Sequence, residues 1–504
     1  MSDLSAEVDT AHGGADPAPE MASHQDGGAA GYEVPPMLKQ FMADNGIDDC
    51  CFRGHTTRHI RVNPRRPLAL ALIAAQLGHT PARVPWLPDV FALPSSVKLA
   101  TSAAYKGGHI YGIDVASAAA VAALAPQPGD CVLDLCCAPG AKLSLLADLV
   151  TPPTEPASVA DGSATQGGFV VGVDVSEPRL ASTRTVLRKY GQCNVRLYLG
   201  DATVLQLLCP RPATEEQARL ERVALAKEWS SVAGRKGSGG GGGRRGSKKK
   251  KKLTPAPAAA AHSGDGHAGD ARGSDGGGVG HDKDDSEAGE RAGECAGSEA
   301  SAGRSRASPG AAPLATRQGR AATRFFFETS LQVGSWVWSE QSGARAQFDK
   351  VLVDAECTHD ASVRHVAKFA EQWGWDTFDE RFNRDGRLDA LQSLQRQLLR
   401  NGFAHLKPGG ELVYSTCSAA PSQNEAVVQW LLDTEPAAQL LPLPPCAPGA
   451  AAMPCKHGLG GMPHVVRFDP ATSGSSGMFV ARVRKRSDAD ISRASPTSRR
   501  QEDV

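Results

Sequence analysis

From Cys209 to Arg320 the chain is poor in large apolar residues and rich in Gly, Ala, Ser and charge, with runs such as GRKGSGGGGGRRGSKKKKKL and SGDGHAGDARGSDGGGVGHDKDDSEAGE. Such a composition buries too little surface to offset the entropy of ordering, so the segment is predicted to be disordered. Loops longer than about 12–15 residues are uncommon inside compact domains, which makes it an insertion or a linker. Its flanks decide between the two. Before it, DCVLDLCCAPGAKLSLLADLV reads as strand, small-residue turn and helix, with Leu143, Leu145, Leu146 and Leu149 on the apolar face. GGFVVGVDVSEPRLASTRTVLRKYG repeats the unit, with Ser176 as N-cap and Pro178 in the first turn, and NVRLYLGDA gives a third strand. After it come KVLVDAEC, a helix with Leu388, Leu391, Leu394, Leu398 and Leu399, and the strand GELVYSTCS. A capping box from Ser422 to Glu425 is expected to open the next helix, and PHVVRFDP and GMFVARVRK to close the domain as a hairpin. Strands alternating with helices on both sides predict one doubly wound, mostly parallel α/β sheet interrupted by the insertion.

The bulk properties narrow the setting. Fifty-five basic residues balance 55 acidic ones, so any site for a polyanion must be local. The 12 cysteines include no CxxC pair, which points to reduced thiols in an intracellular protein without structural zinc, and no metal is expected. No apolar run approaches the roughly 20 residues that span a bilayer. The acidic, Pro/Gly/Ala-rich opening is unlike a signal or transit peptide, and no membrane partner is expected. Residues 1–32 are expected to be a disordered tail, 33–108 a small N-terminal domain, 109–485 the main domain around the 209–320 insertion, and 486–504 a second tail.

Three successive strands lead into acids, Asp134, Asp174 and Asp201. In open α/β sheets ligands bind beyond the carboxyl ends of the strands, and a carboxylate after the second strand can accept both hydroxyls of a ribose. The loop CCAPGAK lacks both the G-x-G-x-x-G of dinucleotide folds and the G-x-x-x-x-G-K-[ST] of P-loops, so S-adenosylmethionine fits better than a pyrophosphate or triphosphate. Two further strands end in thiols, Cys357 in DAEC and Cys417 in STCS. Two cysteines over one crevice point to covalent catalysis.

At these residues the sequence resembles the Sun/Nop family of RNA cytosine-5 methyltransferases. DLCCAPGAK resembles the family's D-x-C-A-A-P-G-G-K loop, DAEC its D-x-P-C, and STCS its T-C-S. RVNP and GGHIYGIDVAS are similar to segments upstream of its first strand, and the likeness runs from Arg61 to Lys485 outside the insertion. Glu356 stands where the family has proline, Ala141 where it has the second glycine, Leu143 where threonine is usual and Ile113 where glutamine is usual.

The resemblance implies a Rossmann-like class I methyltransferase fold with a mostly parallel seven-stranded sheet and a small N-terminal α/β RNA-binding domain. It implies an enzyme that uses S-adenosylmethionine to form 5-methylcytosine in tRNA or rRNA. Cys417 is implied as the nucleophile that adds to cytosine C6, and Cys357 as the thiol that removes the C5 proton or helps release the product. Asp354 is implied at the base edge. Around the cofactor the family pattern places Cys136, Ala138, Pro139, Gly140 and Lys142 at the methionine part, Asp174 at the ribose and Asp201 at the adenine, with Arg179 and Asp354 beside them. A thiol of ordinary pKa near 8.5 is only a few per cent ionised at neutral pH, so the site must lower that value or supply a base, and the sequence does not say which residue does so. The basic stretch TTRHIRVNPRR and AAYKGG are read as RNA contacts, and Lys248–Lys252 as phosphate attraction or a nuclear import signal, giving an expected nuclear or nucleolar, otherwise cytoplasmic, location. The competing readings are a scaffold that binds RNA without catalysis, and a methyltransferase acting on nitrogen.

Overall fold

The computed structural model describes residues 34–44, 57–151, 167–207, 211–213, 323–329, 335–337, 347–380, 386–446 and 449–494. The 1–32 tail, nearly all of the 209–320 insertion and the Lys248–Lys252 run lie outside the described residues.

Four strands, β1 (Arg58–Val62), β2 (Ala82–Val84), β3 (Leu87–Leu93) and β4 (Ile110–Gly112), form an antiparallel sheet in the order β2-β3-β1-β4. Ile60, Phe91, Leu93 and Ile110 pack with Ile73 of the Leu70–Leu77 helix to give it a core of its own. The basic residues expected to meet RNA here are largely turned inward. Arg61 is buried and its Nη1 lies 2.6 Å from Asp148 Oδ2, while Arg65 pairs with the same carboxylate from the other side. Arg58 is buried and donates to the Ser95 carbonyl. Asn63 Nδ2 donates to the carbonyls of Gly108 and Tyr190, and Tyr111 stacks on Tyr190 at 3.9 Å between centroids. Residues 57–66 of this stretch therefore join the small sheet to the larger domain, because their guanidinium groups find a buried acid there and leaving either partner unpaired would be costly.

Among the described residues the larger sheet has ten strands. They are β5 (Cys131–Asp134), β6 (Phe169–Asp174), β7 (Val195–Leu199), β9 (Arg324–Glu328), β11 (Phe348–Asp354), β12 (Leu406–Thr416), β13 (Ala438–Leu441), β14 (Lys456–His457), β15 (Val466–Phe468) and β16 (Met478–Lys485). Two short strands, β8 (Arg211–Ala213) and β10 (Ser335–Val337), pair with each other apart from it. The order is β14-β15-β16-β12-β11-β5-β6-β7-β9, with β13 also on β16. β7, β6, β5, β11 and β12 run parallel, and β16 is antiparallel to β12. These strands and β13 are the seven-stranded Rossmann-like core the sequence predicts, and β9, β14 and β15 widen it. The chain moves outward from β5 to β6 and β7 on one side and fills β11 and β12 on the other, so the direction switches between β5 and β11. Val351, Leu352 and Val353 are wholly buried, as expected of a strand covered on both faces.

Two local expectations differ. Ser422 and Glu425 form no capping box. A 3-10 turn at Pro421–Gln423 precedes the Glu425–Thr434 helix, and the Glu425 carboxylate instead accepts from Arg467, with Nε to Oε1 at 2.7 Å. A distant guanidinium outbids the local backbone N–H because a charge-assisted fork is the stronger bond. The 486–504 segment, expected as a tail, carries a helix at Asp488–Ala494.

Candidate active site

The carboxyl ends of β5, β6, β11 and β12 meet at the switch point, where two groups of side chains converge. The first follows β5. Cys137 N donates to Val173 O at 2.9 Å, which draws the loop over β6, and Gly172 of β6 leaves room because a Cβ there would lie 2.9 Å from Cys137 Sγ. The Ala138–Pro139 peptide is cis, and Gly140 opens the Ala141–Leu149 helix at φ 105°, a conformation that L side chains rarely adopt. Arg179, from the Glu177–Tyr190 helix, donates from Nη2 to Ala138 O at 2.6 Å and places Nη1 3.6 Å from Asp174 Oδ2. Asp174 Oδ1 accepts from Ser176 N at 2.8 Å, and the Ser176 hydroxyl makes no capping bond to the helix that follows.

Lys142 reaches across the crevice, with Nζ 2.8 Å from Asp354 Oδ2 and 3.2 Å from Ser117 Oγ. Ser415 donates to Asp354 Oδ1 at 2.7 Å from the neighbouring strand, where it is in register with Asp354. Burial works against the Lys142 charge, but the Asp354 carboxylate outweighs it and leaves the ammonium pKa raised. Burial, reinforced by Asp354, pushes the Asp134 carboxyl up to about 8, and burial also raises Asp174 despite Arg179. The Cys136 and Cys137 thiols are pushed well up by burial and the nearby acids. Thiols held protonated in this way are poor nucleophiles. Cys136, Ala138, Pro139, Gly140, Lys142, Asp174, Arg179 and Asp354 are thus brought to one crevice. Asp201 stands past β7, and its Oδ1 accepts from the backbone N and hydroxyl of Thr203, so that oxygen closes a turn. The donor set suits S-adenosylmethionine: carboxylates for ribose hydroxyls and the amino group, and a glycine-opened loop for close approach.

The second group joins the loops after β11 and β12. Cys357 Sγ and Cys417 Sγ are 3.4 Å apart, the first buried and the second half-buried. Gln423 fixes the Cys357 loop by accepting from Thr358 N and donating to Thr358 Oγ1, Thr358 also bonds Asp360, and Asp360 Oδ2 accepts from Ala419 N. Ala361 N donates to Cys417 O at 3.1 Å, tying one loop to the other. Glu356 is exposed at the corner where the family has proline, and its carbonyl accepts from buried Gln395.

His359 was not singled out in the sequence. Its Nδ1 lies 2.9 Å from Cys417 Sγ and 3.6 Å from Cys357 Sγ. The signal available was its place two residues after Cys357, which becomes informative only once Cys417 is known to face the same loop. The hydrogen bond from Cys357 holds the Cys417 thiol well below its ordinary range, with His359 adding to the effect against burial, while burial pushes the Cys357 thiol well up. Cys357, His359 and Cys417 offer donor atoms within 4.8 Å of one another, close enough to share a metal ion, although no metal is expected from the sequence.

With this geometry in view, the family model for 16S rRNA methyltransferase RsmB/F matches residues 329–484, the part that holds Asp354 and both thiols. The RsmB/F match begins after β9, so the cofactor-side loop is assigned by geometry and not by that match. The chain is 37% identical over 139 residues to ribosomal RNA small subunit methyltransferase F of Klebsiella pneumoniae (strain 342), covering 27% of this chain and 26% of that protein. The same-named protein of Escherichia coli (strain K12) is 36% identical over 139 residues, with the same coverage. The chain thus spans about a quarter of the length of these curated relatives. Among solved structures, that of NSun6 from Pyrococcus horikoshii with SFG superposes with a TM-score of 0.48 at 14% identity, covering 90% of this chain and 99% of that one.

Proposed function

We propose that the chain is an S-adenosylmethionine-dependent RNA cytosine-5 methyltransferase, with rRNA the first substrate to test and tRNA the second, and with Cys417 as its nucleophile. The carrying observation is the thiol pair: two cysteines 3.4 Å apart at adjacent strand ends, one favouring the thiolate and one the thiol, beside a carboxylate in register with Ser415. Methylation at nitrogen has no use for such a pair.

Cytosine C5 is a poor nucleophile until sulfur adds at C6, and Cys417 is the thiol whose electrostatic surroundings favour that addition. The cofactor, when bound, supplies an electrophilic methyl group. Asp354, held between Lys142 and Ser415, presents a fixed polar group where charge develops on the ring. After methylation the C5 proton must pass to a base and the C6–S bond must break with its electron pair returning to Cys417; Cys357 stands beside that sulfur, and once its own S–H proton has been given up to solvent its thiolate can take the C5 proton. The target base must be unstacked to enter the crevice, which favours single-stranded or flippable positions and costs a few kcal/mol. A nuclear or nucleolar location is part of this proposal and rests on the Lys248–Lys252 run.

The test is bisulfite sequencing of total RNA incubated with the protein and S-adenosylmethionine. A protected cytosine that disappears with Cys417→Ala upholds the reading. Cofactor binding without protection of any cytosine supports the scaffold alternative.

A further inference from the structure

The mechanism leaves one proton unaccounted for. Cys417 must lose its S–H proton before it can add to C6, and this inference rests on the reading of Cys417 as that nucleophile. We propose that His359 is the base that takes this proton, its Nδ1 lying 2.9 Å from Cys417 Sγ. The S–H bond breaks with its electron pair left on sulfur, the Nδ1 lone pair binds the proton, and a thiolate–imidazolium pair results. No oxidant or outside reactant is needed, and the pair is restored when the sulfur later departs from C6 as thiolate.

The placement of His359 is costly to the backbone and is held from several sides. It sits at φ 55°, a left-handed conformation uncommon outside glycine although histidine is among the residues enriched there, and such conformations persist where the surroundings over-determine them. Here the His359 carbonyl accepts from Ser362 N at 3.0 Å, the flanking Thr358 and Asp360 are pinned to Gln423 and Ala419, and the ring stacks on His365 at 4.4 Å with 15° between planes. Nδ1 is thereby aimed at the thiol.

The surrounding charges favour the ion pair. On its own loop His359 has Glu356, Cys357 and Asp360, the following helix brings His365, the end of β12 brings Cys417, and Lys142 acts on Cys417 from the Ala141–Leu149 helix. Burial opposes protonation of His359, but the Cys417 thiolate, then Glu356 and Asp360, leave its pKa raised. Cys357 makes the largest contribution to the lowered Cys417 thiol, by donating to it, and His359 supplies the proton's destination.

The test reads the thiol directly. The full-length protein, with EDTA present to strip any metal, is alkylated with iodoacetamide from about pH 5.5 to 9.5, and the Cys417 peptide is followed by mass spectrometry. The wild-type protein is expected to alkylate at Cys417 well below the ordinary thiol range. A thiol of ordinary pKa is about 1% ionised near pH 6.5. Cys357 still donates to the sulfur in His359→Gly, so the Cys417 thiol should titrate between the wild-type and the ordinary range, and, allowing for the greater intrinsic nucleophilicity of a more basic thiolate, alkylation at that pH should slow severalfold and recover near pH 9. Glycine suits the φ 55° backbone, and His359→Asn, which tolerates it, should behave alike. A wild-type half-point near 8.5 overturns the proposal without any variant. An unmoved profile in both variants overturns it as well, and with Cys417-dependent methylation intact it leaves the proposed function standing. A shifted profile with no RNA methylated upholds the pair and overturns that function.

Discussion

Replacing Gly140 by alanine tests whether the cofactor loop is held as described. The glycine lies at φ 105°, and a Cβ there would sit 2.9 Å from Thr183 Cγ2 and 3.6 Å from Thr183 Cα. Two costs follow. The backbone angle costs an L-residue roughly 1–2 kcal/mol. The overlap falls on Thr183, which is wholly buried and whose hydroxyl is tied to Arg179 O at 3.1 Å, and overpacking of this kind costs about 1–3 kcal/mol. Together Gly140→Ala should destabilise the fold by about 2–5 kcal/mol, read as a lowered urea midpoint with an unchanged slope. It should also weaken S-adenosylmethionine binding by calorimetry, because the loop that moves includes Ala138 and Pro139. The steric part can be separated. Thr183→Ser keeps the hydroxyl and removes the offending methyl, at about 1 kcal/mol alone. Combined with Gly140→Ala it should return about 1–3 kcal/mol of coupling and leave the backbone cost in place. A Gly140→Ala protein that unfolds at the wild-type midpoint, or a double variant that adds with no coupling, would refute the reasoning.

Three further outcomes are expected. Asp134, held protonated up to about 8 by burial and then Asp354, gives up its proton near 4 when unfolded; the native state therefore binds more protons between those values, so stability falls as pH rises through that window and levels off above it. Asp134→Asn should flatten this slope in urea melts from about pH 5 to 8, and an unchanged slope would remove Asp134 as its source. Glu425→Ala strands the nearly buried Arg467 guanidinium and should cost about 3–5 kcal/mol by thermal or urea unfolding, whereas a loss below about 1 kcal/mol would mean that the pair is solvated. Lys142→Met should reduce methylation more than it reduces folding stability, since Asp354 loses its cationic partner while Ser415 still holds its other oxygen, and equal activity would show that Asp354 needs no such partner.

The sheet was readable from the sequence because its signals are local. Val351–Val353 and Phe169–Val173 are short apolar runs followed by polar turns, and their parallel pairing follows from the helices between them. The same logic located Asp354, Cys357 and Cys417, each at or just beyond a strand end. What the sequence hid depends on partners far along the chain. Arg61 looked like an RNA contact because nothing near it announces Asp148, and Glu425 looked like a helix cap because Arg467 comes later. Asp201 is the local counterpart: its own turn engages Oδ1 through Thr203, two residues on. His359 shows the same limit at the site itself. An imidazole two residues from Cys357 means little until the β12 loop brings Cys417 to 2.9 Å from it.

The central claim is that Cys417 carries the substrate base during the reaction. Peptide mapping of the Cys357→Ala protein after incubation with S-adenosylmethionine and the RNA that bisulfite sequencing identifies tests it most directly. The account predicts a stable RNA adduct whose nucleotide is attached at Cys417, and none when Cys417→Ala is added. A nucleotide attached elsewhere, or methylation that persists in Cys417→Ala, would contradict it.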